Sequence, residues 1–309
     1  MAKREKVEKE PETTPSSHRG NSYFTSAKEH LQFVSTGCTL IDCVLGGGFA
    51  LGRIGNIVGD KSTSKTGMAT ECLINFCQKY PNGQAAYRDV EAAFDTPYAE
   101  AMGLDLSKID FGKPLVTVED WHRDLEAFVD QQIKADEPGL YVLDSLDALS
   151  DEAEMERDIG DASYGGNKAK KTSELFRRLT AKIETSKVLL IVVSQVLWLS
   201  NLGTLNKTIN KVKRVYGIKV KAKCKKNKVG MPFRECEFPF IFGYGIDDTL
   251  ANLEWMKSIG KDGGADPKEI NDLTDDEYET LSHTLKDMVP SLWNSIEESF
   301  LPTRKKYRA

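Results

Sequence analysis

The stretch VGDKSTSKTGMATECL, residues 58–73, decides how the rest of the chain is interpreted. It follows a short apolar run at 53–58 and opens a segment in which apolar residues recur at helical spacing. A turn between a strand and a helix binds phosphates when its backbone N–H groups converge at the helix N-terminus, where the helix dipole also favours an anion. In such a loop a lysine reaches the outer phosphates and the next hydroxyl residue ligates Mg²⁺, so Lys65 and Thr66 are the candidates for these roles. The predicted phosphate loop consists of Gly59, Asp60, Lys61, Ser62, Thr63, Ser64, Lys65 and Thr66.

One residue of this loop departs from the strict pattern G-x-x-x-x-G-K-[ST]. Ser64 stands where the pattern has its second glycine. Serine lacks the freedom of glycine at positive φ and adds a small side chain near the phosphates. The alternative to a nucleotide site is a polar turn that caps the helix, and the loop alone does not decide between the two.

The segments after the loop predict a parallel sheet. Apolar runs at 83–89, 139–144 and 188–193 alternate with helical patterns, which is typical of crossover units with helices on both faces of the sheet. The first helix is predicted at Lys65–Tyr80. The helix between the last two strands is predicted to place on one face Ala169, Phe176, Leu179 and Ile183.

Two acidic residues follow predicted strands at the same edge of this sheet. Asp144 ends the run at 139–144, where a carboxylate can hold the Mg²⁺ shell. Glu91 comes just after the strand at 83–89, where a carboxylate can orient and deprotonate an attacking water. Either residue alone is more often a solvated loop charge, but their order along successive strands favours the nucleotide site.

The composition sets the outer limits of this interpretation. The chain has 309 residues, 40% of them hydrophobic, and a formal net charge of −5 that argues weakly against nucleic-acid binding. No stretch is apolar enough to cross a bilayer or to form the core of a signal peptide. The six cysteines are scattered without metal-ligand spacing, which predicts reduced thiols and neither a metal site nor a disulfide framework.

Four blocks of the sequence, in order, resemble the RecA-type recombinases, in the divergent form carried by bacteriophages. They are STGCTLIDCVLGGGFALGRIGNIVGDKSTSKT (35–66), DVEAAFDTPYAEAMGLDL (89–106), VLDSLDALSDEAEMERDIGDASYG (142–165) and KKNKVGMPFRECEFPFIFGYGI (225–246). The resemblance implies an α/β fold, a RecA-like P-loop ATPase core with a mostly parallel central sheet flanked by helices. It implies a core at 35–247, a flexible tail or linker at 1–34 and a small helical region at 248–309, in a protein of the bacterial or phage-infected cytoplasm.

The resemblance also implies roles for individual residues. Glu91 falls on the catalytic glutamate of the family, and Tyr98 on the tyrosine that packs against adenine, with Asp95 in the same block. Lys226 and Lys228 fall on lysines that reach the phosphates of the neighbouring subunit, and Gln195 on the residue that couples the nucleotide to DNA. The implied cofactors are ATP and Mg²⁺, with Mg²⁺ held by Thr66 and Asp144. Ser64 is then a tolerated substitution.

The first DNA-binding loop of the family corresponds to about Glu154 to Gly165. Tyr164 would stand where a large side chain slips between bases, since an aromatic face stacks on any base. A loop tyrosine is otherwise more often packed within its own protein. The residues predicted to contact DNA are Gly160, Asp161, Tyr164, Gly165 and Lys168.

The second DNA-binding loop of the family has no counterpart of normal length. Only 30 residues separate Gln195 from Lys226 (226 − 195 − 1), and they resemble the hairpin that comes after that loop. We therefore expect most or all of the loop to be absent, which puts the coupling role of Gln195 and full strand exchange in doubt.

A basic segment partly offsets this loss. Ten Lys and Arg residues and no acidic residue lie between Lys207 and Lys228. Strict alternation predicts that Lys219, Lys221, Lys223 and Lys225 share one face of a strand while Ile218, Val220, Ala222 and Cys224 are buried. One explanation is an edge strand protected from aggregation by its lysines. The preferred explanation is a face directed at phosphates or at a subunit interface.

The resulting prediction is an ATP-dependent protein that forms helical filaments on single-stranded DNA and pairs it with homologous duplex DNA in recombination and repair. One alternative is a protein that binds ATP and assembles on DNA but has lost hydrolysis or strand exchange, as Ser64 and the short second loop suggest. A ring helicase is a further alternative, against which the K-N-K and I-G-D blocks argue.

Overall fold

The computed structural model describes residues 31–60, 62–92, 94–155, 167–194, 197–225, 227, 231–261, 267 and 269–300. The strands are β1 Phe33–Val34, β2 Phe49–Ala50, β3 Ile54–Gly59, β4 Gln84–Asp89, β5 Ile109–Asp110, β6 Gly139–Asp144, β7 Val188–Ser194, β8 Leu197–Ile209, β9 Val212–Cys224, β10 Glu235–Ile241 and β11 Gly245–Ile246. The α-helices are α1 Thr39–Leu45, α2 Lys65–Lys79, α3 Thr96–Ala101, α4 Val118–Ala135, α5 Glu152–Met155, α6 Asn167–Glu184, α7 Asp248–Ser258 and α8 Asp275–Ser299. Single 3₁₀ turns lie at Leu106–Lys108, Leu146–Ala148 and Glu269–Asp272.

The main sheet has nine strands in the order β11-β10-β9-β8-β3-β7-β6-β4-β5. The six strands from β8 to β5 are parallel, and β9, β10 and β11 extend the sheet in antiparallel fashion. The predicted α/β class with a mostly parallel central sheet is therefore confirmed. The four predicted strands lie within a residue or two of their expected positions.

Both faces of the parallel strands are buried. One face packs on α1, α2, α7 and α8, and the other on α4 and α6. In β7 successive residues alternate between the two cores, with Leu189 and Ile191 in the first and Leu190 and Val192 in the second. Such continuous apolar strands are expected for a sheet covered by helices on both sides.

The predicted apolar face of α6 is partly wrong. Leu179 and Ile183 are buried as expected, and Phe176 packs against the same core. Ala169, however, is exposed, and Leu175 is the buried residue one turn before Leu179. Ala169 lies in the first turn of α6, where the helix has not yet reached the core.

The strands β8 and β9 form a long hairpin that extends beyond the carboxyl edge of the parallel strands. Only Leu197, Trp198 and Leu199 of β8 pair with β3, at its last three residues. Further along, β9 pairs with β10 between Gly217 and Lys223. At Lys219, Lys221 and Lys223, β9 lies between β8 and β10, so the explanation of these lysines as protection of an edge strand is wrong.

The region 248–309 contributes two helices to the first core. Trp255 of α7 stacks against Trp293 of α8 with ring centroids 5.6 Å apart, and Val289 is fully buried. The division of the chain at residues 34 and 247 remains a prediction. Among the described residues, no helix is both long and apolar enough to cross a membrane.

Candidate functional site

The phosphate loop predicted at 59–66 joins the end of β3 to the start of α2. Gly59 is required by close packing, because a Cβ there would lie 2.5 Å from the carbonyl oxygen of Leu199 and 2.5 Å from Oγ1 of Thr63. Ser62 and Ser64 both have φ of 60°, in the left-handed region. Ser64 therefore adopts the backbone conformation for which glycine is usually required.

The first backbone N–H groups of α2 are available to bind an anion. No described side chain caps it, and its first turn contains no acidic residue. The first N–H groups of a helix have no partner within the helix, and the dipole places partial positive charge there. The alternative interpretation of the loop was a polar turn whose side chains cap the helix. No such capping hydrogen bond from a described side chain is present at the N-terminus of α2.

Lys65 turns back onto the loop that precedes it. Its Nζ donates to the carbonyl oxygens of Gly59 and Asp60, both at 2.9 Å. Among the described residues, the ammonium group is thus held over the loop by neutral acceptors and not by a carboxylate. Neutral carbonyls bind a cation less strongly than a phosphate does, so Lys65 can exchange them for an anionic ligand.

The predicted magnesium ligands are in direct contact. Thr66 Oγ1 donates to Oδ2 of Asp144 at 2.6 Å, although the two residues lie 78 positions apart in the chain. Asp144 ends β6, and the main-chain carbonyl of the same residue accepts a hydrogen bond from Val90 N at 2.7 Å. A hydroxyl and a carboxylate oxygen are ligands that Mg²⁺ accepts, so this pair beside the α2 N-terminus fits a Mg²⁺ ion bound with phosphates.

Sequence reasoning missed Tyr87, which also reaches this carboxylate. The fully buried Tyr87 in β4 donates its hydroxyl to the same Oδ2 of Asp144 at 2.6 Å. A tyrosine in the middle of a predicted buried strand, here QAAYRD, needs a hydrogen-bond partner for its hydroxyl, and that was the available signal. Burial raises the pKa of Tyr87, and the charges of Asp144, Asp89 and Glu91 raise it further.

The remaining predicted residues near the nucleotide site lie on the segment after β4. Glu91 is exposed. It lies two residues after Asp89, the last residue of β4, which is opposite Asp144 in the parallel pairing of β4 with β6. Asp95 is the N-cap of α3 and accepts from Tyr98 N at 3.0 Å, so its carboxylate serves the helix in this structure. Tyr98 is half-buried against the first core. The roles of these residues toward a nucleotide remain predictions.

Several predicted residues lie outside the described part of the chain. They are Lys61, Gly160, Asp161, Tyr164, Gly165, Gln195, Lys226 and Lys228. Lys168 is described, at the start of α6, and its Nζ donates to the carbonyl oxygen of Asp147 at 2.7 Å. Asp147 lies three residues after Asp144, the predicted magnesium ligand at the end of β6. The Lys168 hydrogen bond therefore joins the predicted DNA-binding segment to the loop that follows β6.

The interval between β7 and β8 agrees with the expected loss of the second DNA-binding loop. The first strand ends at Ser194 and the next begins at Leu197, so two residues separate them. Both strands pair with β3, one on each side. No long loop therefore follows β7 in this chain.

The lysines of β9 are oriented as predicted but are paired with acidic residues. Ile218, Val220, Ala222 and Cys224 are buried and the alternate lysines are not. Lys219 contacts Glu254 at 3.0 Å, and Lys221 and Lys223 both contact Glu235, at 2.6 and 3.2 Å. Lys225 lies over the ring of Trp198, with Nζ 3.8 Å from its centroid. For the first three, these ion pairs argue against a phosphate-facing role, and the alternative of a face directed at a subunit interface stays a prediction.

These features define a class of protein. A buried parallel sheet with a phosphate loop after one strand and a carboxylate at the end of another is the architecture of the P-loop α/β proteins. Residues 22–206 match the family model described as the RecA N-terminal domain. Protein RecA of Arthrospira platensis is 33% identical over 258 residues, which cover 76% of this chain and 68% of the relative. Protein RecA of Nostoc punctiforme is 31% identical over 262 residues, which cover 76% of this chain and 70% of the relative. The chain belongs to the RecA family.

Proposed function

We propose that this chain is an ATP-dependent recombinase that forms filaments on single-stranded DNA and hydrolyses ATP when DNA is bound. The observation that carries the proposal is the 2.6 Å hydrogen bond between Thr66 and Asp144 beside the uncapped N-terminus of α2. Two residues from distant segments meet there, as a site for magnesium and phosphate requires. Membership of the RecA family supports the same activity at the level of the family.

In this proposal the loop 59–66 holds the phosphates of ATP, and Thr66 and Asp144 hold the Mg²⁺ ion. The bound ion neutralises charge on the phosphate oxygens. Lys65 exchanges the carbonyl oxygens of Gly59 and Asp60 for phosphate. Glu91 orients and deprotonates the attacking water, which its position beyond β4 permits. Tyr98 packs against the adenine.

The proposal further assigns to the next subunit the lysines at positions 226 and 228, which stabilise charge in the transition state. In this proposal, a site completed in trans makes hydrolysis depend on assembly of subunits on DNA. The DNA contacts are those predicted for Gly160, Asp161, Tyr164, Gly165 and Lys168, with Gln195 as the link between nucleotide and DNA.

A second candidate is favoured by the two-residue interval between β7 and β8. A chain without the second loop can bind ATP and assemble on DNA without exchanging strands. Ser64 points in the same direction if its side chain weakens the phosphate contacts. The two candidates differ in whether hydrolysis and exchange survive.

The test is the rate of ATP hydrolysis with and without single-stranded DNA, compared with that of Glu91→Gln. Glu100→Gln is the matched control, because Glu100 is exposed on the same segment and has no proposed role. We expect a DNA-stimulated rate that Glu91→Gln lowers by about a hundredfold or more and Glu100→Gln leaves unchanged. A wild-type rate no higher than that of Glu91→Gln, with DNA binding retained, would reject the ATPase and support the assembly protein.

A further inference from the structure

The β10–β11 hairpin packs against α2, the helix that begins at the phosphate loop. Phe240 of β10 is buried against Gly67, where a Cβ would lie 2.4 Å from Cζ of Phe240. Gly67 directly follows Thr66, the predicted magnesium ligand, so the hairpin touches α2 in its first turn. Glu71 lies four residues further along the helix and therefore faces the same side.

Glu71 holds the second strand of this hairpin by a hydrogen bond. Its Oε1 accepts from the main-chain N–H of Ile246 at 2.9 Å. The approach is close, because a Cβ at Gly245 would lie 2.2 Å from the same oxygen. Ile246 is opposite Phe240 in the pairing of β11 with β10, so contacts on successive turns of α2 hold one cross-strand pair. Ile246 is buried, and a buried N–H group without a partner is costly, so the carboxylate stabilises this arrangement.

The turn of the hairpin, residues 242–244, contacts the residue predicted to pack against adenine. Burial raises the pKa of Tyr98, while a hydrogen bond with the backbone of Gly243 opposes this effect. The turn also contacts α8, where Oη of Tyr244 lies 3.1 Å from Oη of Tyr278. The hairpin therefore joins the helix that begins at the phosphate loop to the tyrosine predicted for the base.

We propose that Glu71 is a positioning residue of the nucleotide site, which holds the β10–β11 turn against Tyr98. It thereby fixes the base-binding end of the site relative to the phosphate-binding end. This inference rests on the proposed function, in which Tyr98 packs against adenine and the loop 59–66 binds the phosphates. Glu71 acts through Ile246 and the turn, so its loss weakens the contacts with the base and leaves those with the phosphates in place.

The hydrogen bond from Ile246 requires an acceptor, which need not be charged. Glu71→Gln keeps an acceptor oxygen on a side chain of the same shape. Glu71→Met keeps a side chain of similar length but leaves the N–H of Ile246 without this acceptor. The two variants remove the same charge, so a difference between them reports the hydrogen bond. Gly245→Ala is a second route to the same loss, because its Cβ would displace Oε1 of Glu71.

The test compares the dissociation constants of ATP and of inorganic tripolyphosphate, each with Mg²⁺, by isothermal titration calorimetry. Tripolyphosphate has the phosphate chain of ATP and no base. We expect Glu71→Met to raise the Kd of ATP about threefold to tenfold, within the contribution of one aromatic contact to a base. The Kd of tripolyphosphate should stay at the wild-type value, and Glu71→Gln should bind both ligands as the wild type does.

The matched control is Asn75→Met. Asn75 lies one turn further along α2 and is also half-buried, and its Nδ2 donates to the main-chain carbonyl of Glu71 within the helix at 2.8 Å. We expect this variant to leave both dissociation constants unchanged. Circular dichroism and thermal melts establish that each variant is folded.

Tyr98→Ala separates a failure of this inference from a failure of the proposed function. It should raise the Kd of ATP about tenfold, and adding Glu71→Met to it should weaken ATP binding no further. If the wild type does not bind ATP, or Tyr98→Ala leaves its Kd unchanged, the proposed adenine contact fails and the role of Glu71 fails with it. If Tyr98→Ala weakens ATP binding and Glu71→Met does not, only the role of Glu71 is wrong.

Two other results would also overturn the role of Glu71. Equal losses of ATP and tripolyphosphate binding in Glu71→Met would mean that the side chain supports α2 as a whole and not the base-binding end. A loss in Glu71→Gln as large as that in Glu71→Met would mean that the charge matters and the hydrogen bond to Ile246 does not.

Discussion

The two faces of the central sheet hold carboxylates in different ways, and two adjacent residues of β4 show the difference. On the face with α2, Tyr87 donates to Asp144 at 2.6 Å. On the face with α4, the buried Arg88 binds Asp124 at 2.8 Å and Asp110 at 2.9 Å. Tyr141 of β6 completes the second cluster by donating to Asp124 at 2.7 Å.

The difference shows which charges are available to a ligand. On the α4 face the carboxylates are neutralised by a cation of the same cluster. Among the described residues, Asp144 on the α2 face is held by the hydroxyl groups of Thr66 and Tyr87, and the nearby cation Lys65 is held by carbonyl oxygens. The α2 face thus retains a carboxylate for a metal ion and an ammonium group for a phosphate, while the α4 face is a closed structural unit.

The largest effect is expected on the closed face. Arg88→Met removes the cation and leaves two carboxylates without it, one of which is largely covered. Breaking a buried ion pair in this way costs about 3–5 kcal/mol, to be measured as the free energy of unfolding in urea. The control Arg123→Met removes an exposed arginine that also contacts two carboxylates, Asp120 and Glu152, and should cost less than about 1 kcal/mol. Equal losses in the two variants would show that Arg88 is not the centre of a buried unit.

The next effect concerns Glu71, a carboxylate on the α2 face with no cation partner among the described residues. Its Oε1 accepts from Ile246 N at 2.9 Å, and burial raises its pKa to about 7, with a further contribution from Asp248. A raised acid pKa means that the folded state holds the proton more tightly, so stability falls as pH rises from about 4.5 to about 7. Glu71→Gln keeps the acceptor without the charge and should stabilise the protein at about pH 8 by up to about 3 kcal/mol.

The pH series decides this prediction. At about pH 5 the gain from Glu71→Gln should be small, because the wild-type side chain is then protonated in the folded state. Glu100→Gln, at an exposed position, should show no such dependence. A gain that is the same at both pH values would mean that the charge of Glu71 is not the cause.

The two tyrosines give a smaller and more specific comparison. Tyr87→Phe and Tyr141→Phe each remove a buried hydroxyl that donates to a carboxylate, and each should cost about 1.5–3 kcal/mol of stability. Only Tyr87 orients a proposed magnesium ligand. Losing such an outer contact weakens metal binding by about tenfold or more.

The readout is the Mg²⁺ concentration that gives half-maximal thermal stabilisation by ATP. We expect this concentration to rise in Tyr87→Phe and to stay near the wild-type value in Tyr141→Phe. A parallel shift in both variants would indicate a general loss of stability and no positioning of Asp144 by Tyr87.

Much of this architecture could be predicted from the sequence. Short apolar runs such as GLYVLD predicted strands that the structure confirms, because a strand buried on both faces needs a continuous apolar run. Thr66 and Asp144 could be paired in advance, because the carboxyl ends of parallel strands and the phosphate loop lie at one edge.

Other features depend on three-dimensional contacts that the spacing of residues in the sequence does not specify. The ion pairs of the β9 lysines with Glu235 require the register of β10, which places Glu235 opposite Lys223. The partner of Tyr87 depends on the distance between two strands, and the exposure of Ala169 depends on where α6 meets the core. Such features follow from three-dimensional packing and not from the period of a pattern.

The smallest effect returns to Ser64, whose left-handed conformation has a counterpart on the closed face. Asp136, the C-cap of α4, has φ of 56° and pairs with Lys187 at 2.9 Å. Ser64→Gly relieves the strain of a side chain at positive φ, but it also raises the conformational entropy of the unfolded chain. The net increase in the free energy of unfolding should therefore be at most about 1 kcal/mol. Because Ser64 already holds the conformation that the loop needs, ATP affinity should change less than about threefold, a difference below about 0.7 kcal/mol. Asp136→Gly, with a similar change in backbone freedom far from the loop, should leave ATP affinity unaltered. A large gain in ATP affinity for Ser64→Gly alone would show that the serine side chain obstructs the phosphates, and would favour the candidate that binds DNA without efficient hydrolysis.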